Sequence, residues 1–504
     1  MSALLSQVEQ ALRGSGWLPR EAPWNKESLA NWKRDSNLLP AVLRCWDAAS
    51  GSPQRRAWLQ QQVDQGAELA LLPAAASKWI GWRLRWCKRP IPTGRWIGLA
   101  SSRLGRQLDS QAAWFTVFRA ACTKVDRRRE LLVTAAATTT HRFVARASEL
   151  FDVRVVCIDT PKRQTSLTTW LARLMRPDDA GDDVASLFLS PQIADESGRE
   201  PVAARLQQHP LRDRAVVALS ERLLVCHLRR HGHLEQLVRL RLADESFPPG
   251  SVLVALGEQL VDRPLADELL AQGAVGWLVL DTLAAAPAGV AALPAESDLP
   301  ARRQVEEMFP REYLIHCTRG QPRGWPDQAE RDRLDELILA RGASDHSSLA
   351  ALRRIVTQQR LVATATFIRG GTPVVSFTAA QLDELPQLRT YRPHLHRWDF
   401  EPYGICIDQR WLQSRGARPV QYGDETLWAA MPAADRAFFQ REATRRSAAG
   451  REMDWRREKE WRHVGDVALH DLPPDAGLVF VPTAAEAHDL APDCVWPITV
   501  LSQP

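Results

Sequence analysis

Between residues 131 and 285, short apolar runs alternate with amphipathic stretches, and this alternation constrains the fold more than any other feature of the 504-residue chain. LLVTAAA (131–137), VRVVCID (153–159), AVVALS (215–220), SVLVALG (251–257) and VGWLVL (275–280) are near-continuous apolar runs, as expected of strands buried on both faces. The segments TTTHRFVARASELF, ERLLVCHLRRHGHLEQLVRLRL and PLADELLAQGA read as the intervening helices. Strands alternating with helices predict a parallel sheet covered on both faces, a Rossmann-like doubly wound domain over 131–285. The acidic stretch 176–200, which contains DDAGDD, reads as a flexible surface connection.

The flanking parts have a different texture. Residues 1–130 hold 21 Lys plus Arg against 10 Asp plus Glu, a net +11; the whole chain is +5, so residues 131–504 carry −6. Ten of the 19 tryptophans lie in that basic quarter, which reads as a mostly helical region with loops. Its densest patch, residues 78–96, interleaves Trp79, Trp82, Trp86 and Trp96 with Lys78, Arg83, Arg85, Lys88, Arg89 and Arg95. Two readings apply: single-stranded nucleic acid bound by base stacking and phosphate neutralisation, or tryptophans packed along the buried face of a helix at spacings of three and four. The packing reading is favoured. An Ala- and Pro-rich linker is expected at 281–304.

Residues 305–504 contain all four tyrosines and predict an α+β domain. Strands are expected at 313–318, 361–368, 373–379, 403–408, 418–422, 460–467 and 477–482, with strong helices around 328–341 and 432–447. The fold class expected for the whole chain is therefore α/β and α+β multidomain: a basic helical N-terminal region, a Rossmann-like parallel sheet and a C-terminal mixed-sheet domain.

No apolar run reaches membrane-spanning length, and the first residues lack the order of a secretory signal, so a cytoplasmic protein is expected. Eight scattered cysteines without a C-x-x-C predict buried thiols, with neither a disulfide framework nor a zinc site. His227 and His231 have the i, i+4 spacing of a metal pair, but they and His233 read as a solvated helix face, and no metal is expected.

Ligands of a doubly wound sheet lie beyond the carboxyl ends of its strands. The residues expected there are Thr138, Thr139, Thr140 and His141 after the first strand, Asp159, Lys162 and Arg163 after the second, and Ser220, Glu221 and Arg222 after the third. Hydroxyls and cations at helix N-termini suit a phosphate, and Thr139, Thr140, Lys162 and Arg222 are the candidate ligand contacts. Neither G-x-G-x-x-G nor G-x-x-x-x-G-K-[ST] is present, so helix capping by threonine stands as the simpler alternative.

In the C-terminal part, His316 and Thr318 share one strand face, Tyr403 opens a later strand, and Glu458-Lys-Glu460 opens another. This His, Tyr, Glu series resembles the ADP-ribosyltransferase superfamily, in its diphtheria-toxin-like and poly(ADP-ribose) polymerase-like branch. The tail from Tyr403, with GARPVQY and EKEWR, also resembles uncharacterised bacterial abortive-infection and phage-defence domains. The resemblance implies NAD as substrate, Glu460 as the carboxylate stabilising oxocarbenium-like charge, His316 on the ribose, Tyr403 stacked on nicotinamide and Thr318 orienting His316. It also implies a role for Glu458 in acceptor choice, by likeness to the Glu-x-Glu motif of the arginine-modifying branch. Cys317 stands where the family has glycine. In the purely structural alternative, Glu458, Glu460 and Arg462 form ion pairs and Tyr403 is a core aromatic. The segment 389–404, with Arg389, Arg392, His394, His396, Arg397, Trp398 and Asp399, is either a ligand-contacting loop or a local ion-pair cluster.

Two functional classes follow. One is an NAD-consuming or ADP-ribosyl-transferring enzyme with a nucleotide-sensing Rossmann-like domain, in bacterial stress or phage defence. The other is a non-catalytic nucleotide- or nucleic-acid-binding protein that uses the Rossmann-like domain and the basic Trp-rich region.

Overall fold

A computed structural model describes residues 2–21, 37–49, 51–104, 108, 112–175, 185–193, 205–257, 259–279, 312–321, 324–340, 345–366, 368–392, 397–442, 445–446, 452–453 and 455–501. The expected linker at 281–304, most of the acidic stretch 176–200, and His394 and His396 fall outside them. The chain divides into two compact units. The first is Met1–Ala284 with Leu334–Arg341; the second is Ala285–Arg333 with Gly342–Pro504.

The first unit is built on nine strands: β1 (Glu68–Leu71), β2 (Leu84–Cys87), β3 (Arg95–Ser101), β4 (Glu130–Ala135), β5 (Val155–Asp159), β6 (Ala185–Leu189), β7 (Arg222–His227), β8 (Val252–Leu256) and β9 (Val275–Leu278). Their order is β1-β2-β6-β5-β4-β3-β7-β8-β9. The seven from β6 to β9 are mutually parallel, and β1 and β2 add an antiparallel margin. The chain leaves β3 toward β4, β5 and β6, then returns to the other side of β3 as β7. The expected doubly wound parallel sheet is therefore present.

Helices α1 (Ser2–Gly14), α2 (Leu39–Asp47), α3 (Pro53–Asp64), α4 (Ala74–Ile80), α5 (Ala113–Lys124), α6 (His141–Phe151), α7 (Leu167–Leu174), α8 (Leu211–Leu219), α9 (His233–Leu242) and α10 (Arg263–Ala271) accompany these strands. Alternate side chains of each strand enter different cores, as the period of two requires. Leu131, Val133 and Ala135 pack with α8, α9 and α10, whereas Leu132 packs with α5, α6 and Leu334, Leu337 and Ile338. Arg146 of α6 holds Asp335 through two bonds, Nε to Oδ1 at 2.5 Å and Nη2 to Oδ2 at 2.7 Å, tying the segment 334–341 to this unit.

Three sequence expectations change here. First, β1, β2 and β3 arise within the stretch expected to be helical, and one sheet runs across position 130. The central strand β3 has no room for a side chain at Gly98, where a Cβ would lie 2.1 Å from Ser220 Oγ. Second, 185–189, expected as loop, is strand β6. Third, AVVALS (215–220) is the end of helix α8, and RLLVCH, expected inside a helix, is strand β7. A short apolar run fits a buried helix as well as a buried strand. Here Pro210 precedes the helix, and Asp213 in its first turn complements the positive helix end.

Among the described residues of the first quarter, Trp17, Trp46, Trp79, Trp86 and Trp114 are buried in the core. Trp79 and Trp86 are 2% and 0% exposed, but they do not share a helix face: Gly81, at φ 77°, ends α4, and Trp86 lies in β2. Trp17 packs edge-on against both Trp86 and Trp58, and its indole N–H donates to Leu171 O at 3.0 Å. The neighbouring charges are engaged as well. Lys78 pairs with Asp244 at 2.9 Å and Arg85 with Glu68 at 2.6 Å, while Arg83 is buried and donates to the carbonyls of Ile80 and Ser190.

The second unit centres on seven strands: β10 (Tyr313–Cys317), β11 (Val374–Thr378), β12 (Gly404–Asp408), β13 (Arg418–Pro419), β14 (Glu460–Val464), β15 (Gly477–Val481) and β16 (Ile498–Val500). The order β13-β14-β11-β10-β12-β15-β16 is antiparallel throughout except for the parallel pair β15–β16. This is the expected mixed-sheet α+β architecture. The helix expected at 432–447 is a 3-10 turn over Ala433–Phe438, and an additional helix spans Ser348–Gln358. One face carries Leu314, Phe377, Ile405 and Val479; the other carries Tyr313, Ile315, Cys406 and Phe480.

Candidate functional site

The carboxyl edge of the parallel sheet gathers polar groups where the strand order reverses, between β3 and β7. Such a switch point opens a crevice, because the connections on its two sides leave in opposite directions. Ser102, just past β3, is pinned to β7: its N–H donates to His227 O at 2.8 Å, and its hydroxyl accepts from Arg229 N at 3.1 Å. Next in the chain, Arg103 lines a cavity of about 410 Å³ together with Thr138, Thr139, His141 and Arg142.

The threonines divide their work. Thr140 is 1% exposed and donates to Leu99 O at 3.2 Å; its hydroxyl also lies 3.2 Å from that of Thr134. Thr138 donates to Ala135 O at 2.7 Å. Thr140 occupies the capping position of α6 but makes no side-chain cap there. Its hydroxyl ties β3 to β4, so it is neither the capping group nor the ligand contact expected from sequence. Thr139 stays at the cavity wall. The turn runs through Ala137 at φ 62°, a left-handed conformation that costs a residue with a Cβ and recurs at functional turns. On the same helix start, His141 Nδ1 lies 3.5 Å from Cys157 Sγ of β5.

A titratable cluster completes the crevice. His209 and His233 bring their Nδ1 atoms within 3.2 Å, so one ring must donate and the other accept. Burial pushes the pKa of His209 down, with His233 and Arg214 adding to it. Asp213, at the start of α8, is pushed up by burial, while Arg212, His233 and Arg103 pull it back. His227, at the end of β7, is held down by desolvation against the opposing effect of Ser102 O. The arrangement offers an anion a guanidinium, a hydroxyl and a positive helix end, with proton-exchanging groups alongside.

The remaining expected contacts fall elsewhere. Lys162 and Arg163 lie at the carboxyl edge beyond β5, around a cavity of about 490 Å³ that includes Ser166 and Thr169. Ser166 accepts from Thr169 N at 3.1 Å and so caps α7. Arg222, expected at this edge, begins β7 and lies at the opposite, amino edge, because α8 rather than a strand precedes it. The same holds for Ser220, whose hydroxyl is turned back to Val216 O at 2.5 Å. His227, His231 and His233 form no helix face: the first ends β7, the second has φ 60°, and the third opens α9. Among the described residues, no group of three or more His, Cys, Asp or Glu is placed to hold a metal ion. Sequence reasoning missed Arg103, His209 and Asp213, because β3 and α8 were not read as a strand and a helix.

In the second unit, the His, Tyr, Glu series does not converge. His316 is opposite Ile405, and Glu460 is opposite Thr378, which in turn faces Ile315. Directly opposed residues point the same way, so His316 and Glu460 lie on opposite faces of the sheet. His316 packs on Phe377 with ring centres 5.8 Å apart, and its Nδ1 is 2.9 Å from Ser376 O; desolvation pushes its pKa down to about 4. Thr318 and Tyr403 share that face. Thr318 donates to Ser348 O at 2.9 Å, and the Tyr403 hydroxyl donates to Glu486 at 2.8 Å.

On the far face, Glu460 receives Arg462 Nε at 2.9 Å and Nη2 at 3.1 Å. Glu458 lies in a 3-10 turn, and its carbonyl accepts from the Thr378 hydroxyl at 2.6 Å. Glu460 is thus the ion-pair carboxylate of the structural alternative.

No family model matches the sequence, and no curated protein matches it. Among solved structures, the X-ray structure of DNA processing protein A (DprA) from Streptococcus pneumoniae is similar at a TM-score of 0.28 and 12% identity, over 54% of this chain and 94% of that one. A likeness of that size assigns neither fold nor function. No helix among the described residues is long and apolar enough to cross a membrane.

Proposed function

We propose that this chain is a binding or sensing protein whose first unit takes a phosphate-bearing ligand of the nucleotide class in the crevice beyond β3, β4 and β7. The observation that carries the reading is Arg103 and Thr139 on one cavity, at the start of α6 and at the sheet's switch point. Asp213 and His209 then supply groups whose protonation responds to the ligand's charge. The NAD-consuming reading of the second unit is left aside, since it needs a carboxylate and an imidazole in one cleft and Glu460 faces away from His316.

Thermal unfolding of the full chain with ATP, ADP, NAD and pyrophosphate tests the proposal. A ligand at 100 times its Kd stabilises the native state by about 2.7 kcal/mol. Arg103→Ala, which removes a charged hydrogen-bond donor, weakens binding by about 10- to 150-fold, from roughly 1.5–3 kcal/mol. Thr139→Val weakens it less. Absence of stabilisation by all four compounds, or an Arg103→Ala variant that binds like the parent, overturns the reading.

A further inference from the structure

Buried parallel strands are built from near-continuous apolar runs, and in the first unit one row interrupts them. Thr134 of β4 is in register with Cys157 of β5, and Cys157 with Ser186 of β6. Residues in register point the same way, so three small polar side chains lie side by side on the sheet face that carries Leu132 and Val155. Departures of this kind from the local pattern collect at functional sites. Thr134 is accounted for, since its hydroxyl lies among those of Thr138 and Thr140. Cys157 has a different neighbour. Its Sγ is 3.5 Å from Nδ1 of His141, the first residue of α6. That is hydrogen-bond distance for sulfur, and among the described residues no other thiol is shown with an imidazole at that range. A proton can pass from Sγ to Nδ1 and leave a thiolate beside an imidazolium, the arrangement that makes a thiol a strong nucleophile.

Access supplies a second, independent observation. Cys157 is partly exposed, and His141 lines the cavity of about 410 Å³ together with Arg103 and Arg142. The pair therefore adjoins a space that a small molecule can enter. The charges around it differ in sign: Asp159, two residues along the same face of β5, disfavours a thiolate, whereas the guanidiniums of Arg103 and Arg142 favour one. The other seven cysteines are placed differently. Cys87, Cys122, Cys226 and Cys406 are buried, and burial pushes the thiols of Cys45, Cys317 and Cys494 up.

We infer that Cys157 is a nucleophilic thiol of the first unit, with His141 as its base, and that it exchanges with small anionic disulfides admitted through this cavity. The Cys157 thiolate attacks one sulfur of the disulfide. A new S–S bond forms as the old one breaks, and the departing thiolate takes the proton from His141. Cys157 is oxidised and the departing thiol is reduced, so the disulfide is the one co-reactant required. Exchange of this kind asks only for a thiolate and access, and the two guanidiniums favour disulfides that carry carboxylates. The inference does not depend on a nucleotide in the crevice: the thiol reacts whether or not a nucleotide binds there, and the two have separate readouts.

The test is the reaction of the native full chain with dithiobis(nitrobenzoate), a disulfide that carries carboxylates, followed by the absorbance of the released thiol. Peptide mass spectrometry locates the cysteine that reacts first. That cysteine is Cys157, and Cys157→Ser removes the fast phase. His141→Ala slows it by about 5- to 30-fold, because an ordinary thiol is only a few per cent ionised near neutral pH and a base raises that fraction by about 30-fold at most. Added imidazole restores part of the rate in His141→Ala, which the loss of a merely structural histidine would not allow. A neutral disulfide of similar size, with hydroxyls in place of carboxylates, reacts more slowly at Cys157. Four outcomes overturn the inference: a different cysteine reacting first, reaction of Cys157 in denaturant only, a His141→Ala variant as fast as the parent, or equal rates with the anionic and neutral disulfides.

Discussion

Replacing Glu460 should cost the second unit stability rather than a catalytic function. Arg462 is 2% exposed, and its guanidinium makes bonds in three directions: to the Glu460 carboxylate, to the carbonyls of Ala437 and Phe439 at 2.9 and 2.8 Å, and to Gln440 at 2.7 Å. Glu460→Ala leaves the cation buried with neutral acceptors only. Breaking one side of a buried pair costs about 3–5 kcal/mol. The carboxylate is 17% exposed, so water partly compensates and the low end, about 3 kcal/mol, is expected. Glu460→Gln keeps an acceptor toward Arg462 but removes the charge, and should cost about 1–3 kcal/mol. Replacing both partners by apolar residues of similar volume, Glu460→Leu with Arg462→Met, should recover most of the loss. Urea unfolding followed by tryptophan fluorescence reads these shifts as a change in the midpoint of the transition that reports the second unit. A Glu460→Gln variant as stable as the parent, together with loss of a nicotinamide-releasing activity present in the parent, would refute the structural assignment.

Three further outcomes are expected. His316 is a base whose folded-state pKa is depressed, so its contribution to stability is complete above the unfolded value of about 6.5 and is lost as the pH falls toward about 4; His316→Gln should flatten that part of the second unit's pH–stability profile in denaturant titrations. Thr140→Val removes a buried hydroxyl from the link between Leu99 and Thr134 and should destabilise the first unit by about 1–3 kcal/mol, while Thr139→Val should leave stability unchanged, as thermal unfolding will show. Arg222→Ala, at the amino edge, should leave nucleotide affinity unchanged by calorimetry, in contrast to Arg103→Ala.

The parallel sheet was legible because Leu131–Ala135, Val155–Ile158 and Val252–Leu256 are apolar on both faces, a pattern that few other architectures need. The mixed sheet was legible from the same kind of signal in Val374–Phe377 and Gly477–Val481. The reading faltered where length alone separates helix from strand. Ala215–Leu219 and Leu223–Cys226 are adjacent short apolar runs, and exchanging their assignments moved Arg222 to the wrong edge and hid Asp213. Trp79, Trp82 and Trp86 imitate a helical stripe, yet Gly81 breaks it with a backbone angle that carries no periodic signature. Opposite faces in the second unit could not be read from spacing, since the register of Glu460 against Thr378 is set by pairing between strands far apart in the chain.

The position of β3 at the middle of its sheet also has a meaning for synthesis. As the chain emerges, the sheet grows outward from β3, each new parallel strand finding a neighbour already made. The β1–β2 pair is the exception, because it is the first to be synthesised, yet the strand it docks against, Ala185–Leu189, follows about a hundred residues later, at a loop-closure cost that rises slowly with length. Until then the edge of Leu84–Cys87 is open. A nascent chain stopped before residue 185 therefore presents a sticky edge that the finished protein does not have, and expression of N-terminal fragments should be judged with that in mind.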